Sequence, residues 1–253
     1  MGKTISIINQ KGGVGKSTTA QALAAGLTLK NKKVLIIDLD PQMNTSLSFM
    51  AEEGADSIAD AFSSDYDIHA AIQKTEYGDI VCGSKDLSNA DAALNMTGKE
   101  YLLKEALEKV VDEYDYIVID TPPALGILTI DALTASDTIV IPAQADIYSL
   151  TGIADLTKTI NTIRKYTNRT LQIEGILLTR YNPRLPFNQE LVKMANDMAA
   201  NLKTKLYETT IREAIAIKKA QAAQQSIFKF DEKSNVAQDY MKFVEELLAK
   251  EVK

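Results

Sequence analysis

A glycine-rich loop near the start of the chain carries the residue types that bind phosphate. Residues 11–18 read KGGVGKST and lie between an apolar run at 5–8 and a helix-forming run at 20–29. Glycines let backbone N–H groups turn toward an anion, and the following helix adds the positive end of its dipole. We expect Lys16 to reach the β- and γ-phosphates of a nucleotide, and the Ser17 hydroxyl to lie on Mg²⁺.

This loop departs from the common phosphate-binding pattern at one position. The pattern G-x-x-x-x-G-K-[ST] places its first glycine where this chain has Gln10, and a second lysine, Lys11, begins the loop instead. A glycine turn without a ligand is the alternative interpretation, but three glycines and a Lys-Ser pair between a strand and a helix form a specific combination. The residues expected to contact a nucleotide are Lys11, Gly12, Gly13, Val14, Gly15, Lys16, Ser17 and Thr18.

Two further loops place carboxylates after apolar strands. Asp40 lies in residues 38–46, DLDPQMNTS, and Asp120 ends the apolar run in residues 114–123. In an open parallel sheet, ligands bind beyond the carboxyl ends of the strands. Next to a γ-phosphate, Asp40 could hold the Mg²⁺ shell or orient attacking water, and Asp120 could bind Mg²⁺ through water. An ordinary Asp-Pro turn is the alternative interpretation for Asp40, and isolated strands that end in aspartate are common.

Short apolar runs of strand length alternate with longer amphipathic runs along the chain. This alternation implies β-α-β crossovers, and strands that are apolar throughout are typical of a parallel sheet covered on both faces. The predicted strands are 4–8, 34–38, 79–82, 116–120, 138–141 and 173–178, and the predicted helices are 16–30, 99–111, 150–165, 188–201, 212–225 and 235–251. We expect an α/β fold, a doubly wound and mostly parallel sheet flanked by helices, as a single domain over residues 1–253 without an N-terminal DNA-binding extension.

Composition excludes several classes of protein. The single cysteine, Cys82, rules out a disulfide framework or a cysteine cluster within the chain, and it is expected to be a small buried hydrophobe. No apolar run approaches the roughly 20 residues that span a bilayer, and because the first strand begins almost at once we expect no signal peptide. The only histidine, His69, has no motif partners nearby and is expected on the surface. A cytoplasmic protein is the resulting prediction.

The charge is unevenly distributed. The net charge is −6, yet residues 158–233 hold fourteen Lys and Arg against seven Asp and Glu. A basic region on an acidic protein could bind polyanions, although solvated helix faces would give the same count. The charge pattern alone therefore leaves both interpretations open.

The three loops together resemble those of ParA-type partition ATPases, in the deviant-Walker group of P-loop NTPases that also contains MinD. Further similarity lies in residues 139–144, IVIPAQ, in residues 175–179, GILLT, and in residues 211–234, which resemble plasmid and mobile-element members most. The resemblance covers nearly the whole chain. It implies an ATPase that hydrolyses ATP to ADP and phosphate with Mg²⁺, forms an ATP-sandwich homodimer, binds DNA without sequence preference and is switched off by a ParB-like partner. It also implies a nucleoid-associated location and a role in segregating a plasmid, mobile element or chromosome.

The resemblance assigns roles to individual residues. Lys11 becomes the signature lysine that reaches the phosphates bound by the other subunit, whereas Lys16 acts in its own subunit. Asp40 supports hydrolysis, Ser17, Asp40 and Asp120 surround the metal, and Pro142 and Asn182 lie near the adenine. The candidate DNA contacts are Arg184, Lys193, Arg212, Lys218 and Lys219. An arginine common in chromosomal members aligns with Ala216, so Lys218 and Lys219 are expected to substitute for it.

Three alternatives share parts of this pattern. A MinD-like protein would need a basic amphipathic tail, whereas residues 234–253 hold three lysines and four acidic residues. The apolar positions of the predicted helix 235–251 instead favour packing against the sheet. A positioning ATPase for another cargo would share every residue discussed. A metabolic ATP-dependent enzyme would need a substrate site next to the γ-phosphate, and the sequence shows no such group of residues.

Overall fold

A seven-stranded sheet forms the centre of the computed structural model, which describes residues 2–52, 55–63, 66–94, 96–183 and 188–249. The strands lie in the order β3-β4-β2-β5-β1-β6-β7, and all neighbours are parallel except the antiparallel pair β3 and β4. The predicted doubly wound, mostly parallel sheet is therefore confirmed. The strands are β1 Lys3–Ile7, β2 Val34–Asp38, β3 Ile72–Thr75, β4 Gly78–Val81, β5 Tyr116–Asp120, β6 Thr138–Gln144 and β7 Gln172–Thr179.

Helices cover both faces of this sheet. Side chains alternate along each strand, so Val118 packs with α1, α9 and α10, whereas Ile117 and Ile119 pack with α4 and α5 on the opposite face. Helices α6 and α7 continue that second layer beside β6 and β7. The α-helices are α1 Lys16–Leu29, α2 Asn44–Ser48, α3 Ala90–Ala93, α4 Leu102–Glu108, α5 Ile127–Ala135, α6 Ile147–Tyr166, α7 Asn188–Asn201, α8 Ile215–Ala222, α9 Ile227–Asp231 and α10 Asn235–Ala249.

The apolar face of helix α10 is buried, and its close contact is with α1, whereas the sequence predicts packing against the sheet. Val236, Tyr240 and Phe243 are buried on this face. Gly26 of α1 permits the close approach, because a Cβ there would lie 2.7 Å from the Val244 side chain. No helix among the described residues is both long and apolar enough to cross a bilayer. Helix α10 is thus part of the core that supports the first turn of α1.

Two predicted helices are clearly shorter in the structure. The helix predicted over 212–225 begins only at Ile215, because Ile211 instead continues backbone pairing beside β7: its N–H donates to the Leu178 carbonyl and its carbonyl accepts from Tyr181. Arg212 therefore lies before the helix. The helix predicted over 99–111 is regular only over Leu102–Glu108, with 3₁₀ turns on either side.

The sequence prediction lacks strand β3, helix α5 and the short helices α2, α3 and α9. Strand β3 is a half-buried, antiparallel edge strand with little apolar content. Helix α5 is buried around most of its circumference and has no amphipathic period to reveal it. The predictions for Cys82 and His69 are confirmed, since Cys82 is buried and His69 is exposed.

A buried carboxyl on α5 predicts how stability depends on pH. Asp131 Oδ1 accepts the Leu103 N–H at 3.0 Å, while Oδ2 has no partner among the described residues. Burial raises the Asp131 pKa from its usual 3.8 to about 8, and the charges of Glu100 and Glu105 add to this. The folded state therefore keeps a proton that the unfolded chain loses, so stability falls as pH rises between these two values.

We expect Asp131→Asn to remove part of this pH dependence. An asparagine keeps an acceptor for Leu103 but does not titrate, so the fall in unfolding free energy between pH 5 and pH 7 should shrink by up to about 1.4 kcal/mol per pH unit. Urea unfolding at several pH values measures this slope, with Asp155→Asn as an exposed control on α6. An unchanged slope would show that Asp131 is already ionised in the folded state.

Candidate nucleotide-binding site

The glycine-rich loop connects the carboxyl end of β1 to the first turn of α1. Gly13 and Gly15 have φ of 76° and 88°, a left-handed conformation that other L-residues rarely adopt. Gly15 is the N-cap of α1 without a side-chain cap, so the first N–H groups of the helix remain for an anion. Thr179 of β7 holds the loop from the other side, donating its hydroxyl to the Val14 carbonyl at 2.7 Å.

Lys16 lies at the base of this loop with its side chain largely buried. Burial lowers the pKa of its ammonium, and the carboxylates of Asp120 and Asp40 oppose that shift. Its Nζ lies 3.5 Å from the Lys11 carbonyl, across the mouth of the loop. A cation held between a phosphate-binding loop and two carboxylates can neutralise the charge of bound phosphates.

Three carboxylates converge where β2 and β5 end. Asp38 and Asp120 are paired in register across these strands. Asp38 accepts both the N–H and the hydroxyl of Ser46, at 2.8 Å and 2.7 Å, and thereby fixes the loop that carries Asp40. Asp40 in turn accepts the Gln42 N–H at 3.0 Å, so this loop is held by its own acidic side chains.

The surroundings of Asp120 suit a carboxylate that binds a cation or its bound water. It is fully buried; Oδ2 accepts the Thr45 hydroxyl at 2.7 Å, and Oδ1 has no hydrogen-bond partner among the described residues. Burial raises the Asp120 pKa, and the nearby charge of Asp38 raises it further. A divalent cation or its bound water at this point would favour the ionised carboxylate.

A cleft of about 550 Å³ extends from the glycine-rich loop. At one end lie the loop, Asp40 and Pro123. At the other lie Arg180, Ile211 to Ala214 and four residues of α8, namely Ile217, Lys218, Gln221 and Ala222. Gln221 bridges the two sides by donating to the Thr18 hydroxyl at 3.2 Å. A cleft with a phosphate end and a mixed apolar and polar end has the shape that a nucleotide requires.

Tyr240 closes the floor of this cleft, and sequence reasoning missed it as a site residue. It is buried, and its hydroxyl lies 3.4 Å from the Thr19 hydroxyl in α1. Its position at helical spacing among apolar residues signals only a core residue, because nothing local shows that α10 crosses behind the glycine-rich loop.

Comparison with known proteins identifies the family. Residues 2–173 match a family model described as AAA domain. The chain is 38% identical to the sporulation initiation inhibitor protein Soj of Bacillus subtilis, over 98% of this chain and 99% of Soj. It is 34% identical to the chromosome partitioning protein ParA of Myxococcus xanthus, over 99% of this chain and 89% of that protein. The chain belongs to the Soj/ParA family of ATPases.

A solved structure of another protein has the same fold. Cobyrinic acid a,c-diamide synthase from Mycobacterium smegmatis, with bound ADP and magnesium, superposes with a TM-score of 0.81 at 30% identity and covers 98% of this chain and 94% of that one. The Soj/ParA fold is thus shared with a protein whose name describes a metabolic enzyme.

The remaining residues that the Soj/ParA resemblance singles out have these positions. Pro142 lies buried within β6, and its carbonyl accepts Nδ2 of Asn9 at 2.8 Å. Asn182 is exposed after β7. Neither residue is among the described residues that line the cleft, and their contact with adenine stays a prediction.

The basic candidates for a Soj/ParA DNA surface differ in their surroundings. Lys193 in α7 and Lys218 and Lys219 in α8 are exposed. Arg212 instead forms a bidentate ion pair with Asp239 of α10, with Nε–Oδ2 and Nη2–Oδ1 distances of 2.6 Å and 2.8 Å. Arg184 lies outside the described residues. Arg212 therefore already has a role within the chain, as a link between α10 and the wall of the cleft.

Proposed function

We propose that this chain, as one ATPase domain over residues 1–253, is a DNA-partitioning switch that dimerises when it binds ATP. The observation that carries this proposal is a cleft lined by Asp40 and by a phosphate-binding loop that begins at Lys11, in a chain that matches Soj over its full length. Asp120 is buried beside this cleft, close enough to influence the charge of Lys16. The ATP-bound dimer binds DNA without sequence preference. A ParB-like partner stimulates hydrolysis, and the protein leaves the DNA, which segregates a plasmid, mobile element or chromosome.

The geometry of the cleft supports a role in nucleotide binding for each of the following groups. The backbone of residues 12–15 and the N-terminus of α1 receive the phosphates, and Lys16 neutralises their charge. Ser17 would ligate Mg²⁺, and the buried Asp120 carboxylate would hold water bound to that ion. Asp40, which lines the same end of the cleft, orients the attacking water. The magnesium ion supplies a Lewis acid that stabilises charge on the phosphates.

In the dimer, Lys11 acts on the nucleotide of the other subunit. A lysine supplied in trans offsets the charge that develops on the transferred phosphoryl group, as an arginine finger does. Hydrolysis therefore requires the dimer, and the dimer requires ATP. This coupling makes the protein a switch whose DNA affinity follows its nucleotide state.

The DNA surface centres on α8. Lys218 and Lys219 are adjacent and exposed, while the same helix lines the nucleotide cleft through Ile217 and Gln221. Lys193 adds a further exposed cation in α7. Because α8 contributes to both sites, nucleotide occupancy can set the position of its lysines. DNA binding then places the protein on the nucleoid in the cell.

Neutralising both α8 lysines is expected to weaken DNA binding and its salt dependence. Each phosphate contact contributes about 0.9 to the slope of log affinity against log salt, so Lys218→Ala/Lys219→Ala should lower that slope by about 2. Fluorescence anisotropy of duplex DNA between 50 and 300 mM salt, with ATP present, gives this slope. The matched control is Lys74→Ala/Lys85→Ala, which removes two exposed lysines outside the basic region. Equal slopes for both double variants would refute the assignment to α8.

The likeness to a diamide synthase supplies a rival function that the same cleft could serve. A metabolic enzyme would show ATP turnover that rises with its small-molecule substrate, whereas the partition switch responds to DNA and a DNA-binding partner. ATPase rates measured with duplex DNA plus the partner, and separately with cobyrinic acid plus a nitrogen donor for amide formation, decide between them. Stimulation only by the small molecules would overturn the partition function. Stimulation by a partner without any DNA affinity would indicate an ATPase that positions another cargo.

A further inference from the structure

Lys11 forms an ion pair within its own subunit. Its Nζ lies 2.9 Å and 2.7 Å from Oδ1 and Oδ2 of Asp146, at the end of the loop that follows β6. Both side chains remain about one-third exposed, at 33% and 30%. The lysine that the dimer needs on the other subunit's phosphates is thus held by a carboxylate of its own chain.

Asp146 is a fixed acceptor because it begins a long helix. It is the N-cap of α6, and its Oδ1 accepts the Ser149 N–H at 2.8 Å. The Ser149 hydroxyl in turn accepts the Gln144 N–H at 3.0 Å, which joins the first turn of α6 to the end of β6. The carboxylate therefore keeps its place when Lys11 leaves.

The backbone of Lys11 is anchored as well. Its N–H donates to Asn9 Oδ1 at 2.9 Å, and Asn9 Nδ2 donates to the Pro142 carbonyl of β6 at 2.8 Å. The start of the loop thus stays attached to β6, whatever the lysine side chain does. Release of Lys11 needs only a rotation of its side chain and the loss of one ion pair.

We infer that Asp146 is a positioning residue that restrains Lys11 in the free subunit, and that ATP-dependent dimerisation must break this pair in both subunits. The inference rests on the proposed sandwich dimer, since only that arrangement requires Lys11 elsewhere. The triphosphate in the other subunit competes for the ammonium because it carries more negative charge than one carboxylate. ADP lacks the γ-phosphate and competes less well, so the pair opposes dimers that hold the spent nucleotide.

Asp146→Asn tests this restraint without removing the helix cap, because asparagine caps helices about as well as aspartate. A partly exposed ion pair changes an equilibrium constant by up to about fivefold. Removing the pair in both subunits should therefore lower the dissociation constant of the ATP-bound dimer by up to about 25-fold. Sedimentation velocity with ATP, in a background of Asp40→Ala to prevent turnover, measures the dimer dissociation constant. Asp146→Glu should return the constant toward that of the parent protein.

The matched control is Asp155→Asn, which removes another aspartate–lysine pair on the same helix, with Lys158 at 2.8 Å. A dissociation constant that is unchanged by Asp146→Asn, or a weaker dimer, would overturn the inference, since the carboxylate would then be neutral toward dimerisation or part of the interface.

A second measurement separates this inference from the proposed function. In the monomer without nucleotide, a double-mutant cycle of Lys11→Met and Asp146→Asn should show at least about twofold coupling in the unfolding equilibrium. Zero coupling would show that Lys11 and Asp146 do not stabilise each other, and it would leave the proposal of a sandwich dimer untouched. Clear coupling together with no ATP-dependent dimer in any variant would instead overturn the proposed function, and the restraint with it.

Discussion

Asp40→Ala is expected to preserve ATP-dependent dimers and to lower the rate of ATP hydrolysis by about 10²–10⁴-fold, the usual effect of losing a group that orients or activates the attacking water. Asp40 reaches the cleft from the loop after β2, at the same end as the glycine-rich loop. Its removal leaves Lys16 and Asp120, which are proposed to hold phosphates and metal. Phosphate release measured at saturating ATP, together with the dimer fraction by light scattering, tests both parts.

Asp40→Asn shows whether ATP hydrolysis depends on the charge of Asp40 or on the loop conformation that Asp40 stabilises. The Asp40 carboxylate accepts the Gln42 N–H, and an asparagine can still accept it. If the carboxylate orients water, alanine and asparagine should be equally slow. Recovery of the parent rate by asparagine would mean that Asp40 acts only by shaping the loop, and hydrolysis at the parent rate in both variants would remove the assigned role.

Lys16→Ala should reduce ATP affinity by about 10-fold to 150-fold and abolish ATP-dependent dimers. Hydrogen bonds to charged groups contribute about 1.5–3 kcal/mol, and no other cation lies at the buried base of the loop among the described residues. The loss also leaves Asp40 and Asp120 next to the phosphates without an intervening positive charge. Isothermal titration with ATP and Mg²⁺ measures the affinity.

The control for this variant lies on the same helix. Lys30 is the C-cap residue of α1 and forms an exposed ion pair with Glu245, so Lys30→Ala removes a lysine without touching the cleft. It should bind ATP as the parent protein does. Normal DNA-bound dimers in Lys16→Ala would contradict the proposal that nucleotide state controls DNA binding.

The phosphate end of the site could be predicted because its signals are local. The three glycines and the Lys-Ser pair lie within one short stretch of sequence, and the apolar strand that ends in aspartate lies within another. The parallel sheet then brings the ends of β2 and β5 together, since Asp38 and Asp120 share one register. A fold class that follows from alternating strands and helices is therefore sufficient to place these carboxylates next to the loop.

The rest of the site depends on contacts between distant positions. Arg212 looks like a free cation for DNA in the sequence, yet its partner Asp239 lies 27 residues further along. Lys11 pairs with Asp146 across 135 residues, and no pattern near either residue predicts this. Edge strand β3 was missed for a different reason, because a half-buried edge needs few apolar residues.

Tyr240 and Gln221, which line the nucleotide cleft, are synthesised much later than the glycine-rich loop. The Thr19–Tyr240 contact joins positions 221 residues apart, and the Thr18–Gln221 hydrogen bond joins positions 203 apart. A ribosome therefore exposes the glycine-rich loop long before the wall of its own cleft exists. A nascent chain can offer phosphate contacts early but cannot enclose a nucleotide until α8 and α10 emerge. A nucleotide bound in this cleft would stabilise the folded chain, because it would contact segments that are made early and late in synthesis.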